Sequence, residues 1–263
     1  MIIRQDTRKR LNAYFTLLRE MAGTEFKLRD QGTFLGFLWT LLYPALMFAV
    51  LYVVFVKWMG HLVENYGAYL LIGLLFWNFF QKSTSSALTS LVRRYSIIRN
   101  FKFPREIIVF STVSAVLYSF LLEVGVLLFF LPFIGVAPKV SWLLLPLLLA
   151  TMVLLSAGIS LFLPILAAEY RDLERIWEVL TMTMFYITPV FYPMSVISEH
   201  LRPMLYLNPV THILIAARGC LIDGRIANVG AVVSVALGSA VLFALGVLAL
   251  RRCESHVMDK LME

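Results

Sequence analysis

The chain alternates between long stretches without charge and short blocks crowded with it. Five runs, 34–56, 67–81, 141–168, 179–197 and 226–250, carry no charged side chain and approach or exceed the length of a bilayer crossing. A sixth, 107–131, is interrupted once, by Glu123. A hydrocarbon core of ~30 Å takes about 20 apolar residues as a helix. The pattern therefore predicts an all-α integral membrane protein with six transmembrane helices. The run 67–81 is the shortest, and Lys82 extends it by snorkelling.

Ahead of the first run, Leu11, Tyr14, Phe15, Leu18, Met21 and Ala22 recur at i, i+3, i+4, i+7 spacing, with Arg8 and Arg19 off that face. This predicts an N-terminal amphipathic helix lying in the inner-leaflet interface. Gly23 loosens it, and Gly32 with Gly36 places a small-residue pair at the mouth of the first span. In the fourth run, Pro146, Pro164, Ser156, Ala157, Gly158 and Ser160 predict a kinked, closely packed interior helix.

The stretch 167–219 organises the rest. It opens with the charged cluster A-E-Y-R-D-L-E-R-I-W-E and passes directly into the uncharged run 179–197. Charges that stay in water beside a run that enters lipid describe a cytoplasmic elbow followed by the fifth span. Pro189, Pro193, Pro203 and Pro209 then fall within 21 residues, separating apolar pieces too short to cross. Such pieces predict short re-entrant helices at the outer face between spans five and six. Asn208 suits an N-cap and Pro209 an N1 position, for a helix reaching about Cys220.

Composition agrees with this pattern. Of 263 residues 60% are apolar and 15% charged, with a mean hydropathy of +0.82, outside the range of a soluble domain of this length. The net charge of +7 is a matter of topology rather than of nucleic-acid binding. With both termini in the cytoplasm, seventeen of the 23 basic residues fall inside and six fall outside or at span ends. The whole chain, 1–263, reads as one transmembrane domain: a cytoplasmic interfacial helix within 1–33, a six-span bundle over 34–250 and a cytoplasmic tail, 251–263. The N-terminus has no apolar stretch ending in a cleavage site, so no signal peptide is expected.

The densest basic loop, R-R-Y-S-I-I-R-N-F-K-F-P-R at 93–105, predicts a short helix and a fixed turn at Pro104. Topology needs its charges, but Tyr95, Ile97, Ile98, Phe101 and Phe103 add the apolar surface of a docking site for a soluble partner. Rings recur along the spans. They serve as packing and interfacial belt, or as flat faces on which sugars stack. Glu123 within a span is a functional candidate or the partner of a neighbouring polar group. The chain has no phosphate-binding G-x-x-x-x-G-K-[ST], no Cys/His metal cluster and no G-x-S-x-G, so neither cofactor nor metal is expected. If the protein does work against a gradient, the energy must come from ions or a partner, and the docking surface of the basic loop and elbow beside an isolated Glu123 favours the partner.

Taken in order, L-G-F-L-W-T-L-L-Y-P at 35–44, F-K-F-P-R at 101–105, Y-R-D-L at 170–173, T-P-V-F-Y-P at 188–193 and L-N-P at 207–209 followed by Arg218 resemble one family. It is the membrane subunit of type-2 ATP-binding-cassette exporters, in the branch exporting lipid-linked polysaccharide (O-antigen, capsule, teichoic acid). The chain departs from the family at Arg29-Asp30, where an Arg/Lys-Tyr pair is usual, and at Thr188, where Ser is common.

The resemblance implies a homodimeric permease of the bacterial inner membrane, docked on two copies of an ATPase and moving undecaprenyl diphosphate-linked glycan. Coupling to the ATPase would fall to Arg94, Arg99, Lys102, Phe103, Pro104, Arg105, Arg171 and Asp172. The pathway would be lined by Tyr43, Phe48, Tyr52, Phe55, Phe76, Trp77, Tyr186 and Tyr192. An outer gate would comprise Thr188, Pro189, Pro193, Asn208, Pro209 and Arg218. Two other readings stand beside it: the same fold exporting a drug or small lipid, and a membrane glycosyltransferase or flippase without an ATPase. The former would suit a first span poorer in rings, and the latter would want acidic pairs or more intramembrane charge.

Overall fold

The computed structural model describes residues 2–30, 38–101, 103–170, 172–254, 257 and 260. Gly32, Gly36, Lys102 and Arg171 lie outside them. The described residues form helices and turns, with no strand among them. In chain order the helices are α1 (Ile2–Asp30), α2 (Leu38–Met59), α3 (Tyr66–Leu88), α4 (Ser90–Arg93), α5 (Tyr95–Asn100) and α6 (Glu106–Phe130). They continue as α7 (Leu145–Glu169), α8 (Leu173–Ile187), α9 (Arg202–Tyr206), α10 (Pro209–Arg218) and α11 (Val229–Arg252).

By length and composition, four stretches of the described residues suffice to cross a membrane: Leu38–Met59, Glu106–Ile134, Val140–Glu169 and Val229–Arg252. The other two predicted spans are helical but differ in kind. In α3 the last third, Asn78 to Ser86, carries Gln81, Lys82 and four hydroxyls, which lowers its hydropathy. The run 179–197 is helical only in its first half. The helix begins earlier, inside the charged cluster, and stops at Ile187, because the residue before Pro189 is pushed out of the α region. At 1.5 Å per residue α8 spans about 22 Å.

Helix α3 is the centre of the molecule. Every residue from Ile72 to Phe80 is buried, as expected of a helix that is apolar all round. It packs against α2, α6, α7, α8 and α10. On the far side α7 and α11 approach closely because both have glycine at the contact. A Cβ on Gly158 would lie 3.0 Å from the Phe243 nitrogen, and one on Gly246 would lie 2.8 Å from Leu161 Cβ. The small-residue stretch of α7 thus serves close packing as predicted, with Pro164 inside the helix. Pro146 falls in the first turn of α7, where it starts the helix instead of kinking it.

The N-terminal helix runs on through Gly23 to Asp30 rather than loosening there. Its packed side is Tyr14, Leu17, Leu18, Met21, Ala22, Glu25 and Phe26, and it lies against α6. Phe15, expected on that side, is exposed. Glu25 explains the docking. It accepts from Arg94 at 2.7 Å and from Thr112 at 3.1 Å, while Phe26 meets Tyr118 edge-to-face at 5.9 Å.

The two ends differ in character. One gathers the 93–105 loop, Ala168 and the last turn of α11 around a small apolar cluster of Ile98, Ile108, Leu161, Leu250 and Val257. The other gathers the α2–α3 turn, the α6–α7 connection and the broken segment 188–228. There Lys139 donates to the Ile222 carbonyl at 2.5 Å and the Trp142 indole to that of Leu221 at 3.0 Å. Glu123, 5% exposed within α6, faces Lys82 of α3 at 3.8 Å, and Lys82 also sits 5.3 Å from the centre of the Tyr43 ring. Lys82, about one-third exposed, thus lies between an acid and a ring near the end of α3.

Candidate functional site

The break after α8 is where backbone is most exposed to the problem of lipid, since carbonyls without partners are costly there. Each carbonyl from 186 to 192 lies within reach of a donor, those of Tyr186 and Ile187 sharing one hydroxyl hydrogen. The Tyr192 hydroxyl lies 2.9 Å from the Tyr186 oxygen and 2.6 Å from that of Ile187. The Val190 N–H turns back onto the Thr188 oxygen at 2.7 Å. Arg218 donates through Nη1 to Pro189 at 2.7 Å and through Nη2 to Val190 at 2.6 Å. Tyr66 serves Phe191 at 2.8 Å, and Tyr69 serves Tyr192 at 2.9 Å. The proline-rich turn is thus a hydrogen-bonded knot tied by α3 and α10.

Arg218 is its centre. The side chain is 4% exposed, its Nε donates to the Tyr69 carbonyl at 3.1 Å, and its guanidinium lies 3.5 Å from the centre of the Tyr69 ring. A buried guanidinium is tolerated when carbonyls take its protons and a ring face meets its charge. Room for it is made by Gly73, where an added Cβ would overlap both the Val190 oxygen and Arg218 Nη2. Asn208 completes the knot. Its Oδ1 caps α10 by accepting from the Val210 N–H at 3.0 Å, and its Nδ2 donates to Thr188 Oγ1 at 2.8 Å. Pro209 occupies the first turn as the sequence indicated. Pro193 is buried and leads into the short 3-10 turn Met194–Val196.

Rings cluster about this knot. Phe191 touches Phe55 of α2 at 5.0 Å, Phe185 at 5.7 Å and Tyr186 at 6.2 Å between centroids. A ladder of near-parallel rings, Phe48–Tyr52–Tyr66–Tyr69, steps across at 5.4, 6.2 and 6.4 Å and ends on Arg218. Phe48, Tyr52, Phe55, Tyr186 and Tyr192 are therefore brought together around one site. Tyr43 stands apart, beside Lys82. Phe76 and Trp77 are core residues, 0% and 1% exposed. Phe76 packs edge-to-face on Phe120, and Trp77 on Phe80 and Phe185, because α3 is enclosed on all sides. Within this chain they expose almost no surface. Tyr66, Tyr69, Gly73, Phe185 and Phe191 were missed. The spacing of Tyr66 and Tyr69 on one side of α3 was the available signal.

At the opposite end, α5 and the turn after it have the predicted form: a short helix to Asn100, then extended backbone at Phe101. Phe101 is 65% exposed, while Ile98 is buried beneath it. Arg99, Pro104 and Asp172 are exposed and Phe103 is half-buried. Arg94 is turned inward to Glu25 and Ser111, the latter at 3.1 Å, so it ties the loop to α1 and α6. Its polar partners leave little of it for an outside contact. Near this end Tyr14 is half-buried, and burial, reinforced by Glu106 and opposed by Arg251, pushes its phenol up to about 12.

Comparison with known proteins agrees in one direction. The family model described as ABC-2 type transporter matches residues 16–222. An O-antigen export system permease protein RfbA of Klebsiella pneumoniae is 31% identical over 215 residues, covering 81% of this chain and 83% of that protein. A second protein of that name and organism is 30% identical over 217 residues, 82% of this chain and 84% of its own length. The protein so named in Myxococcus xanthus is 28% identical over 236 residues, 89% and 91% of the two chains.

Proposed function

The chain belongs to the ABC-2 type transporter family, and from that premise we propose that it is the permease subunit of an O-antigen exporter. In this reading it crosses the bacterial inner membrane six times with both termini in the cytoplasm. Two copies would build one pathway and dock on two copies of an ATPase, whose nucleotide chemistry supplies the energy. Helix α3 acts as the second span, shielded from lipid by its neighbours. Helix α8 acts as the fifth, its short length completed by the knot at 188–192.

The observation that carries the reading is the ring cluster built on that knot. Sugar rings present C–H faces that pack on flat aromatics, and their hydroxyls need polar neighbours. Tyr52 of α2 and Tyr186 of α8 present exposed rings, with the half-buried Phe48, Phe55 and Phe191 packed beside them and tyrosine hydroxyls and carbonyls close by. The relatives' names give the same cargo class. Of the sequence-derived coupling residues, Arg99, Phe103, Pro104, Arg105 and Asp172 remain the proposed ATPase contact, together with Lys102 and Arg171. Phe101 joins them as the most exposed ring of the loop.

Deleting the gene tests this. Lipid-linked polysaccharide should accumulate on the cytoplasmic face with none at the cell surface, and Tyr52→Ala with Phe55→Ala should lower export while the protein stays inserted. Normal surface polysaccharide with altered sensitivity to small hydrophobic drugs would give the place to the drug-exporter reading.

A further inference from the structure

The end of α11 meets the basic loop at three points. Arg251 donates through Nε to Glu106 Oε1 at 2.7 Å, with Nη2 2.5 Å from the same oxygen. Glu254 Oε1 lies 3.1 Å from Arg105 Nε. Val257, 2% exposed, sits in the apolar cluster that also holds Ile98 of the loop, Ile108 of α6 and Leu161 of α7.

In each pair one partner is largely buried while the other, Arg251 or Glu254, reaches the surface. Glu106 is 1% exposed, and a carboxylate so buried needs a cation beside it. It stands in the first turn of α6 and Arg251 in the last turn of α11, so each charge lies where the helix dipole favours it. Arg105 also donates through Nη1 to the Phe101 carbonyl at 3.1 Å and lies 5.4 Å from the centre of the Phe103 ring. One guanidinium therefore fixes the turn 101–105 from within, and the partly exposed Glu254 faces it from the tail as an ion pair, close in distance but without hydrogen-bond geometry at Nε.

We propose that Arg251 and Glu254 are positioning residues for energy coupling, forming a clasp that joins the 101–106 turn to the end of α11. A push on the loop then moves α6 and α11 as one body and, through the glycine contact at Gly158 and Gly246, carries α7 with them. Without the clasp the turn yields by itself and the displacement is dissipated inside it. The proposal rests on the reading of 93–105 as the ATPase contact. It adds to that surface a strut from a part of the chain more than a hundred residues away, 145 in the case of Glu106 and Arg251.

The test uses the full permease co-purified with its ATPase and reconstituted with lipid-linked glycan extracted from the producing cells. ATP hydrolysis, glycan translocated and amount of inserted complex are read together. Glu254→Arg should leave hydrolysis and complex near wild type but lower glycan moved per ATP by about fivefold. Glu254→Gln, close to isosteric, should lower the same ratio and serves if the arginine variant fails to insert. Glu254→Asp, which keeps the charge, should restore most of it. Phe101→Ala, outside the clasp, reports on the loop reading and should lower ATP-driven export. If Phe101→Ala acts while the Glu254 variants match wild type, or lose complex, hydrolysis and export in equal proportion, the clasp is overturned and the loop reading stands. If Phe101→Ala has no effect, the loop reading fails and the clasp falls with it.

Discussion

At the residue scale, Arg218 decides whether the 188–192 knot holds. Lysine carries the same charge but has one nitrogen, and cannot bridge the Tyr69, Pro189 and Val190 carbonyls together. Arg218→Lys should therefore destabilise the protein by about 2 kcal/mol, since two carbonyls lose their donors in a buried place. Gly73→Ala should cost about as much or more, because backbone on one side and a guanidinium on the other leave its methyl group no room. Thermal unfolding in detergent measures both, and a Gly73→Ala protein as stable as wild type would refute the close packing described. The same residues show why sequence reading reached this site unevenly. Arg218 stood out as a charge within apolar surroundings, and Asn208-Pro209 as a helix start, both local signals. Gly73 did not stand out, since a lone glycine in a helical run gives no sign of what approaches it.

At the scale of elements, α1 is bound to the bundle by chemistry as well as by an apolar stripe. Its 3.6-residue period was legible: Tyr14, Leu18, Met21 and Ala22 pack as expected and Phe15 does not, while the side chain of Leu11 lies outside the described residues. Glu25 was not legible, because its partners Arg94 and Thr112 lie 69 and 87 residues away. Glu25→Gln removes the ion pair and leaves Arg94, 17% exposed, without its carboxylate. Allowing for that partial exposure, the expected loss is about 1–2 kcal/mol. It should appear as faster hydrogen exchange and proteolysis in α1, with α3 and α7 unchanged. Uniform loosening of all helices would mean that Glu25 supports the whole fold and not the docking of α1. Helix α8 teaches the complementary lesson. An uncharged run gives a span's worth of hydropathy, yet Thr188-Pro189 ends the helix halfway, and backbone geometry overrides composition.

At the scale of the molecule, the basic residues gathered at one end predict which side faces the cytoplasm. Cys253, half-buried beside Arg252, should react with an impermeant thiol reagent only after the inner membrane is opened. Cys220 should stay unlabelled from either side while the protein is folded, because its thiol is buried and donates to the Ser141 carbonyl at 2.8 Å. Reaction of Cys253 in intact spheroplasts would overturn the placement of both termini inside. The sequence by itself determined that this is a helical membrane protein, where its apolar runs lie, and where proline and asparagine break and restart them. Those properties are set by solvent and by neighbours a few residues away, so they are written as periodicity and composition. The tertiary structure alone decided that α3 is enclosed, that Phe76 and Trp77 lie in the core while Phe191 gathers the rings, and that Arg218 ties the 188–192 turn. It also decided that the chain's end clasps its basic loop. Each of these depends on groups far apart in sequence, 149 residues for Arg218 and Tyr69, and on a shape complementarity that no local pattern encodes.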